Sequence, residues 1–306
     1  MTILIFFIVL SILVLVHEWG HFITAKRAGA KVEEFGFGFP PRIFSVVAGG
    51  TVFSFNLIPF GGFVKIYGET GEHKNETGSF SGLKISKRIK IVVAGVVMNV
   101  ILAFVLLSLS NLTGRPMVID EINEASATNI QIQIIETAPD SPAEEAGIKA
   151  GDAILKAGFN GREEIFSQVS DFKNFVDSAA GREISLRVKR GGEIINFNLT
   201  PRLNPPAEEG ALGVSLVKTG LVKSPWYLFL WQGFKDTLWL LAVVASGLFL
   251  FFKTLLVEGR VMSDIAGPVG IATLAGQAYD LGFSYLINLM AVLSINLAKL
   301  NILPFP

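Results

Sequence analysis

The sequence predicts a polytopic α-helical membrane protein with four transmembrane helices, a cytoplasmic-side re-entrant β element and an inserted extracytoplasmic α+β domain. Three observations carry this. The 306 residues are 51% hydrophobic and only 17% charged, against about 25% charged in ordinary soluble chains. The apolar residues gather in four runs, at 3–25, 91–109, 237–252 and 281–297. The cations alternate from one side of these runs to the other.

A stretch of about 20 mostly apolar residues spans a bilayer as a helix. The first run holds only His17, Glu18 and His21 as ionisable groups. Residues 1–7 carry no side-chain charge, and Lys26, Arg27 and Lys31 follow the run. A cleaved signal peptide has the opposite order, so this is a retained helix ending in the cytoplasm. Lys84, Lys87, Arg88 and Lys90 precede the second run, and only Arg115 follows closely. The third run reaches back through 226–234 across Lys235 and Asp236, and Lys253 and Arg260 bring its end inside. The fourth then runs outward. The expected division is helix 1 at 1–25, a cytoplasmic-side segment at 26–88, helix 2 at 89–110, an outer domain at 120–202 and a linker at 203–225. Helix 3 follows at 226–257, a second cytoplasmic-side segment at 258–280, and helix 4 at 281–306. In a bacterium this places the chain in the inner (plasma) membrane. A reporter fused at Gly161 is expected outside the cytoplasm; a cytoplasmic reporter overturns the topology.

Composition excludes several chemistries. Lys+Arg 26 against Asp+Glu 26 leaves no basic excess, so nothing general points to nucleic acid. Without cysteine there are no disulfides, thiolate nucleophiles or Cys-ligated metals. A metal site must use His, Asp and Glu, and the histidines are His17, His21 and His73. His73 sits in a polar, unperiodic stretch at 68–79 and reads as a solvated loop residue.

The outer segment alternates like a strand at 130–136. A short helix follows, opened by Ser141-Pro142 and closed by Gly147. A strand at 152–157 ends in a turn at 159–161. A helix at 170–180 has Ser170 at its N-cap and Gly181 at its close. A hairpin at 183–189 and 193–199 surrounds Arg190-Gly191-Gly192, and 201–210 is Pro-rich and polar. On the cytoplasmic side, 35–41 (FGFGFPP) and 51–66 (TVFSFNLIPFGGFVKI) are strand-like but too apolar for a solvated loop. Backbone that is neither helix nor closed barrel needs protein or a wet cavity around it. A re-entrant sheet meets that need; a hairpin resting on the membrane surface is the alternative.

The chemistry sits in the first run. His17-Glu18-Trp19-Gly20-His21 is H-E-x-x-H. One helical turn separates the histidines on a shared face, so both imidazoles can reach one tetrahedral zinc at about 2.0–2.1 Å. Glu18 lies about 100° round from His17, near a metal-bound water rather than in a ligand's place. Such a metal lowers the water's pKa toward ~7 and polarises a carbonyl, and the carboxylate moves the proton. Ionisable residues at membrane depth cost about 2.5–3.5 kcal/mol each on insertion scales. Three within five positions is an expense that packing alone does not explain.

Around SPAEEAGIKAGDAIL (141–155), the stretch from about 129 to 200 resembles a circularly permuted PDZ domain. Such domains capture peptide ends by strand addition. The chain as a whole resembles the site-2 proteases, intramembrane zinc metalloproteases, and among them the bacterial regulator-of-sigma-E protease type. HEWGH matches the family's zinc motif. PFGGFVK at 59–65 resembles its re-entrant β element. AGVVMN at 94–99 resembles Ala-Gly-Pro-x-x-Asn, with Val96 in place of Pro. GPVGIA at 267–272 and SINLAKLNILPFP at 294–306 resemble its later motifs.

The last of these leads into Asn-x-x-Pro-x-Pro-x-x-Asp-Gly, whose Asp is the family's third zinc ligand. Pro306 stands at the second Pro. The resemblance therefore supplies His17 and His21 as metal ligands and Glu18 as the catalytic group, with no matching carboxylate; Asp264 and Asp280 lie at positions that do not match. The expectation is a piece of a longer, active protein. It further implies that Asn301, and with it Asn99, contacts substrate. The substrates implied are single-pass membrane proteins cut within the bilayer in regulated intramembrane proteolysis, such as anti-sigma factors or remnant signal peptides. The implied partners are these segments, peptide ends at the PDZ-like domain, and lipid. A second class stays open: an inactive membrane scaffold displaying the PDZ-like domain. The missing carboxylate favours it and HEWGH opposes it.

Overall fold

The computed structural model describes residues 1–121, 123–206, 209–259 and 267–302. They form two compact units: 1–110 with 227–276 and 287–306, and 111–226 with 277–286.

In the first unit, helix α1 (Thr2–Ala28) has Lys26 and Arg27 in its last turn and ends at Gly29, whose φ of 89° is the left-handed region. There a glycine carries no Cβ penalty and its N–H can close the last carbonyls. Strands β1 (Val32–Ala48) and β2 (Thr51–Ile66) form an antiparallel hairpin about Gly49-Gly50, both at positive φ. The register shows how such long strands stay compact. Residues 44–48 of β1 face 51–55 of β2, while 35–37 face both 53–55 and 62–64. The hairpin thus doubles over into four short passes, leaving 62–66 as an outer edge. That edge lies on α1. A Cβ on Gly61 would collide with the Val14 side chain, and one on Gly62 with the Gly36 carbonyl oxygen while standing 3.3 Å from Leu15; Ser11 donates to the Pro59 carbonyl at 3.2 Å.

Helix α2 (Ile85–Thr113) crosses α1 at Gly20, where a Cβ would stand 2.5 Å from the Ala94 carbonyl oxygen. Small residues of this kind let membrane helices approach backbone to backbone. Helix α5 (Phe229–Lys253) approaches α2 in the same way, with Gly233 against Ser108. Helix α7 (Phe283–Leu300) completes a core of Ala103, Leu107, Leu240, Ala291 and Ile295. Two polar bonds tie it in: Ser294 to the Asn99 carbonyl at 2.8 Å, buried, and Lys299 to the Leu241 carbonyl at 2.6 Å, partly buried. Among the described residues, four helices are long and apolar enough to cross a membrane: Thr2–Ala28, Ile85–Thr113, Phe229–Val257 and Phe283–Leu300. Between the last two, helix α6 (Pro268–Leu281) occupies most of what the sequence reading left as a cytoplasmic-side segment at 258–280.

The second unit is a sheet flanked by short helices. Its strands are β3 (Arg115–Val118), β4 (Ala127–Thr137), β5 (Ala153–Phe159), β6 (Arg162–Glu164), β7 (Ile184–Arg190), β8 (Glu193–Leu199) and β9 (Val214–Val222). The order is β3-β9-β4-β5-β7-β8, with β6 on β5. Outside 277–286, its α-helices among the described residues are α3 (Pro142–Glu145) and α4 (Val169–Ser178), with a single 3-10 turn at Glu124–Ser126. Phe172, Val176, Ile132, Ile134, Ile184, Leu186 and Val188 form its buried core. Ser141 caps α3 by accepting the Glu144 N–H at 3.2 Å. Asp152, fully buried, accepts from Arg190 Nε and Nη2, each at 2.7 Å. Arg190 also donates to the Gly147 carbonyl at 2.8 Å, joining the α3 turn to the β7–β8 hairpin.

Two expectations need correction. The linker at 203–225 contains strand β9, which pairs with β4 from Ala127↔Val222 to Thr137↔Val214. Without it β4 would present an open edge of unpaired N–H and C=O groups; the Pro-rich start of this stretch masked that requirement. Ser170 is not an N-cap: Gln168 precedes α4, and the Ser170 hydroxyl turns to Asp171 at 3.4 Å.

Candidate metal centre

Helix α1 brings the two histidines together as their spacing requires. His17 Nε2 and His21 Nε2 are 3.1 Å apart, and the rings meet at 78°. Two ligands of one tetrahedral zinc at about 2.0–2.1 Å would be roughly 3.3 Å apart, so the pair already converges on one point. Helix α2 shapes the other side. A Cβ on Gly95 would lie 2.5 Å from His21 Nε2, 2.6 Å from His17 Cε1 and 2.7 Å from His17 Nε2. Glycine leaves this cradle open. The far nitrogens are engaged as well. His21 Nδ1 donates to the Ile91 carbonyl at 2.7 Å, and His17 Nδ1 lies 3.2 Å from Asn99 Nδ2. The donor set, the convergence and the cradle all fit zinc.

Glu18 points elsewhere on the same helix, toward the sheet edge, where its carboxylate accepts the Val64 N–H. Glu18 and His21 line a cavity of about 350 Å3 with Phe63, Val64, Ile66, Phe80 and Ile91. Glu69, an exposed carboxylate of the loop after β2, stands at the same cavity. Water therefore has a polar approach to Glu18 and His21.

Asn301, just past α7, also arrives here. Its Nδ2 is 3.3 Å from His17 Nε2 and 3.5 Å from Nδ1. Asn99 is fully buried, and its Oδ1 has no partner.

No group of three or more His, Asp or Glu side chains gathers for a metal among the described residues. Asp280 lies in the second unit beside Gly191. Asp264 and residues 303–306 fall outside the described residues. His73 is far from any such role: its Nδ1 is 2.6 Å from Glu76 and its ring stacks on Tyr67. The Tyr67 hydroxyl, donating to Glu76, is pushed up to about 12 by that bond.

Three contributors had no role assigned from the sequence: Gly95 and Val64, named only within motif matches, and the Ile91 carbonyl. Gly95 carried a signal, since a glycine inside an apolar helix costs about 1 kcal/mol against alanine and stays where something must approach. The two backbone groups carry none.

Four membrane-length helices and an H-E-x-x-H pair facing a second helix define a membrane-embedded metalloprotein. Comparison with known proteins gives the family: Peptidase family M50 matches residues 5–306. The chain belongs to that family, the site-2 proteases, and the relatives it matches are named zinc metalloproteases. A Clostridium perfringens protein with a provisional zinc-metalloprotease name is 35% identical over 97% of this chain and 81% of its own length. A Fusobacterium nucleatum protein with a similar name is 33% identical over the full chain and 85% of its own length. The zinc metalloprotease RasP of Oceanobacillus iheyensis is 27% identical over the full chain and 87% of its own length.

Proposed function

We propose that the chain is an intramembrane zinc endopeptidase that cleaves the transmembrane segments of single-pass proteins, with His17 and His21 as metal ligands and Glu18 as the proton-transfer group. The observation that carries this is the convergence of both imidazoles on one point of an apolar helix, 3.1 Å apart and beside Gly95.

Held by His17 and His21, a zinc ion would supply the Lewis acidity that activates a water and polarises the scissile carbonyl. The chain's residues do the rest. A peptide bond inside a helix is already hydrogen-bonded and shielded, so the substrate segment must unwind. The outer pass of the hairpin, 62–66, offers an edge for the unwound strand and keeps it beside α1. Glu18, held by the Val64 N–H, takes a proton from water and returns it to the leaving amine. Asn301, facing His17 Nε2, contacts the substrate main chain. The HEWGH geometry weighs against the scaffold reading.

The outer unit supports peptide capture. Between α4 and the start of β9 lies a groove of about 310 Å3 lined by Phe172, Val176, Leu212, Val214 and Leu216. Residues 214–217 of β9 pair with β4, whereas β3 takes only 219–222. The other edge of 214–217 therefore faces the groove open, as strand addition requires. We place this unit outside the cytoplasm, with the substrates being clipped anti-sigma factors or remnant signal peptides.

A reconstituted assay tests both parts. A single-pass reporter ending in a free carboxylate should be cut, a zinc chelator should stop cleavage, and added zinc should restore it. Leu216→Arg in the groove should slow cleavage of that reporter more than of one with no outer segment. Zinc-loaded protein that cuts neither reporter overturns the protease reading; equal slowing of both overturns the groove's role alone.

A further inference from the structure

We propose that Asn99 is a positioning residue: its side-chain oxygen accepts the Nδ1–H of His17 and thereby leaves the His17 Nε2 lone pair to the metal. This rests on the reading of His17 and His21 as ligands.

A neutral imidazole carries one proton. A ligand binding through Nε2 must keep it on Nδ1, and that N–H needs an acceptor. For His21 the acceptor is fixed, because the Ile91 carbonyl at 2.7 Å can only accept. For His17 the neighbour is an amide. Asn99 is 0% exposed, its Nδ2 is 3.2 Å from His17 Nδ1, and its Oδ1 has no partner. A half-turn about the Cβ–Cγ bond exchanges the two. Either orientation leaves one end of the amide unpaired, so the protein's own hydrogen bonding does not choose between them. The protonation of His17 does: with the proton on Nδ1, only the oxygen-forward amide makes a bond. The Asn99 backbone is fixed by Ser294, so the amide turns in place.

This revises the substrate-contact expectation for Asn99, whose amide is enclosed and engaged with His17. The Gly95 carbonyl, one helical turn earlier, also reaches the His17 ring and is the competing acceptor. Groups that orient a metal-bound histidine typically contribute 10–100-fold in metal affinity.

The test is zinc affinity of the full chain in detergent, measured by chelator competition for Asn99→Leu and Asn99→Asp. Metal-free thermal unfolding serves as the folding control. Leucine keeps the branching at Cγ, though it is bulkier, and removes the acceptor; zinc should bind about 10–100-fold more weakly. Aspartate keeps an acceptor and should bind zinc at least as tightly as the native protein. Native affinity in Asn99→Leu overturns the proposal, because the Gly95 carbonyl then suffices. Equal weakening in both variants overturns it in favour of packing. If Asn99→Leu does not fold, Asn99→Asp decides alone, and weaker zinc binding there overturns the proposal. His17→Ala and His21→Ala stand apart as controls: if either retains native zinc affinity, the ligand reading itself fails and the proposal falls with it.

Discussion

A Glu18→Gln protein should fold, bind zinc as the native protein does, and lose cleavage by at least about 10^2–10^4-fold, the usual share of a positioned proton-transfer group. Glutamine has the shape of glutamate, and its side-chain oxygen can still accept the Val64 N–H. The sheet edge therefore stays on α1. The two imidazoles are untouched, since Glu18 points to the sheet side of the helix and the ligand pair points to α2. What glutamine cannot do is take a proton from water. Cleavage of the reporter and bound zinc should be measured on one preparation. Cleavage within tenfold of native, with zinc intact, would remove Glu18 from the mechanism; joint loss of zinc and cleavage would make it a structural or metal-site residue instead.

The membrane helices and the histidine pair were legible because each depends on local spacing. An apolar run of sufficient length must be helical in lipid, since every backbone group has to be satisfied internally. Two residues one turn apart on such a helix must share a face. Ser141 was legible as a cap for the same local reason. The doubled hairpin was legible only as two strands. Its fold-back is set by Gly61 and Gly62 approaching α1 and by 35–37 pairing on both sides, contacts made across the chain. Strand β9 was hidden because its role is to pair with β4, about 80 residues away, and nothing in 214–222 announces that partner. The far side of the metal centre was hidden most completely. The Ile91 carbonyl and the Val64 N–H are backbone groups whose importance comes from where the chain passes.

Gly95→Ala should separate the site from the fold. The new methyl would lie 2.5 Å from His21 Nε2 and 2.7 Å from His17 Nε2, closer than such contacts allow. What it strikes is the tips of two rings, which can swing away by rotating their side chains, so the clash is relieved at the expense of the ligand pair rather than the helix crossing. His21 would leave the Ile91 carbonyl and the Nε2 atoms would part. Zinc binding should fall at least about tenfold, the scale set by losing ligand orientation, and cleavage should fall with it. Metal-free stability should hold or rise, because alanine favours a helix interior over glycine by up to about 1 kcal/mol. Gly20→Ala makes the contrast. Its methyl would stand 2.5 Å from the Ala94 carbonyl oxygen and 2.8 Å from its carbon, main-chain atoms that cannot swing, so α1 and α2 must part and the metal-free unfolding temperature should drop. If Gly95→Ala lowers that temperature as much as Gly20→Ala does, Gly95 serves helix packing and the open cradle has no separate role; if it binds zinc natively, the rings tolerate the methyl and the metal does not sit where the two Nε2 atoms converge.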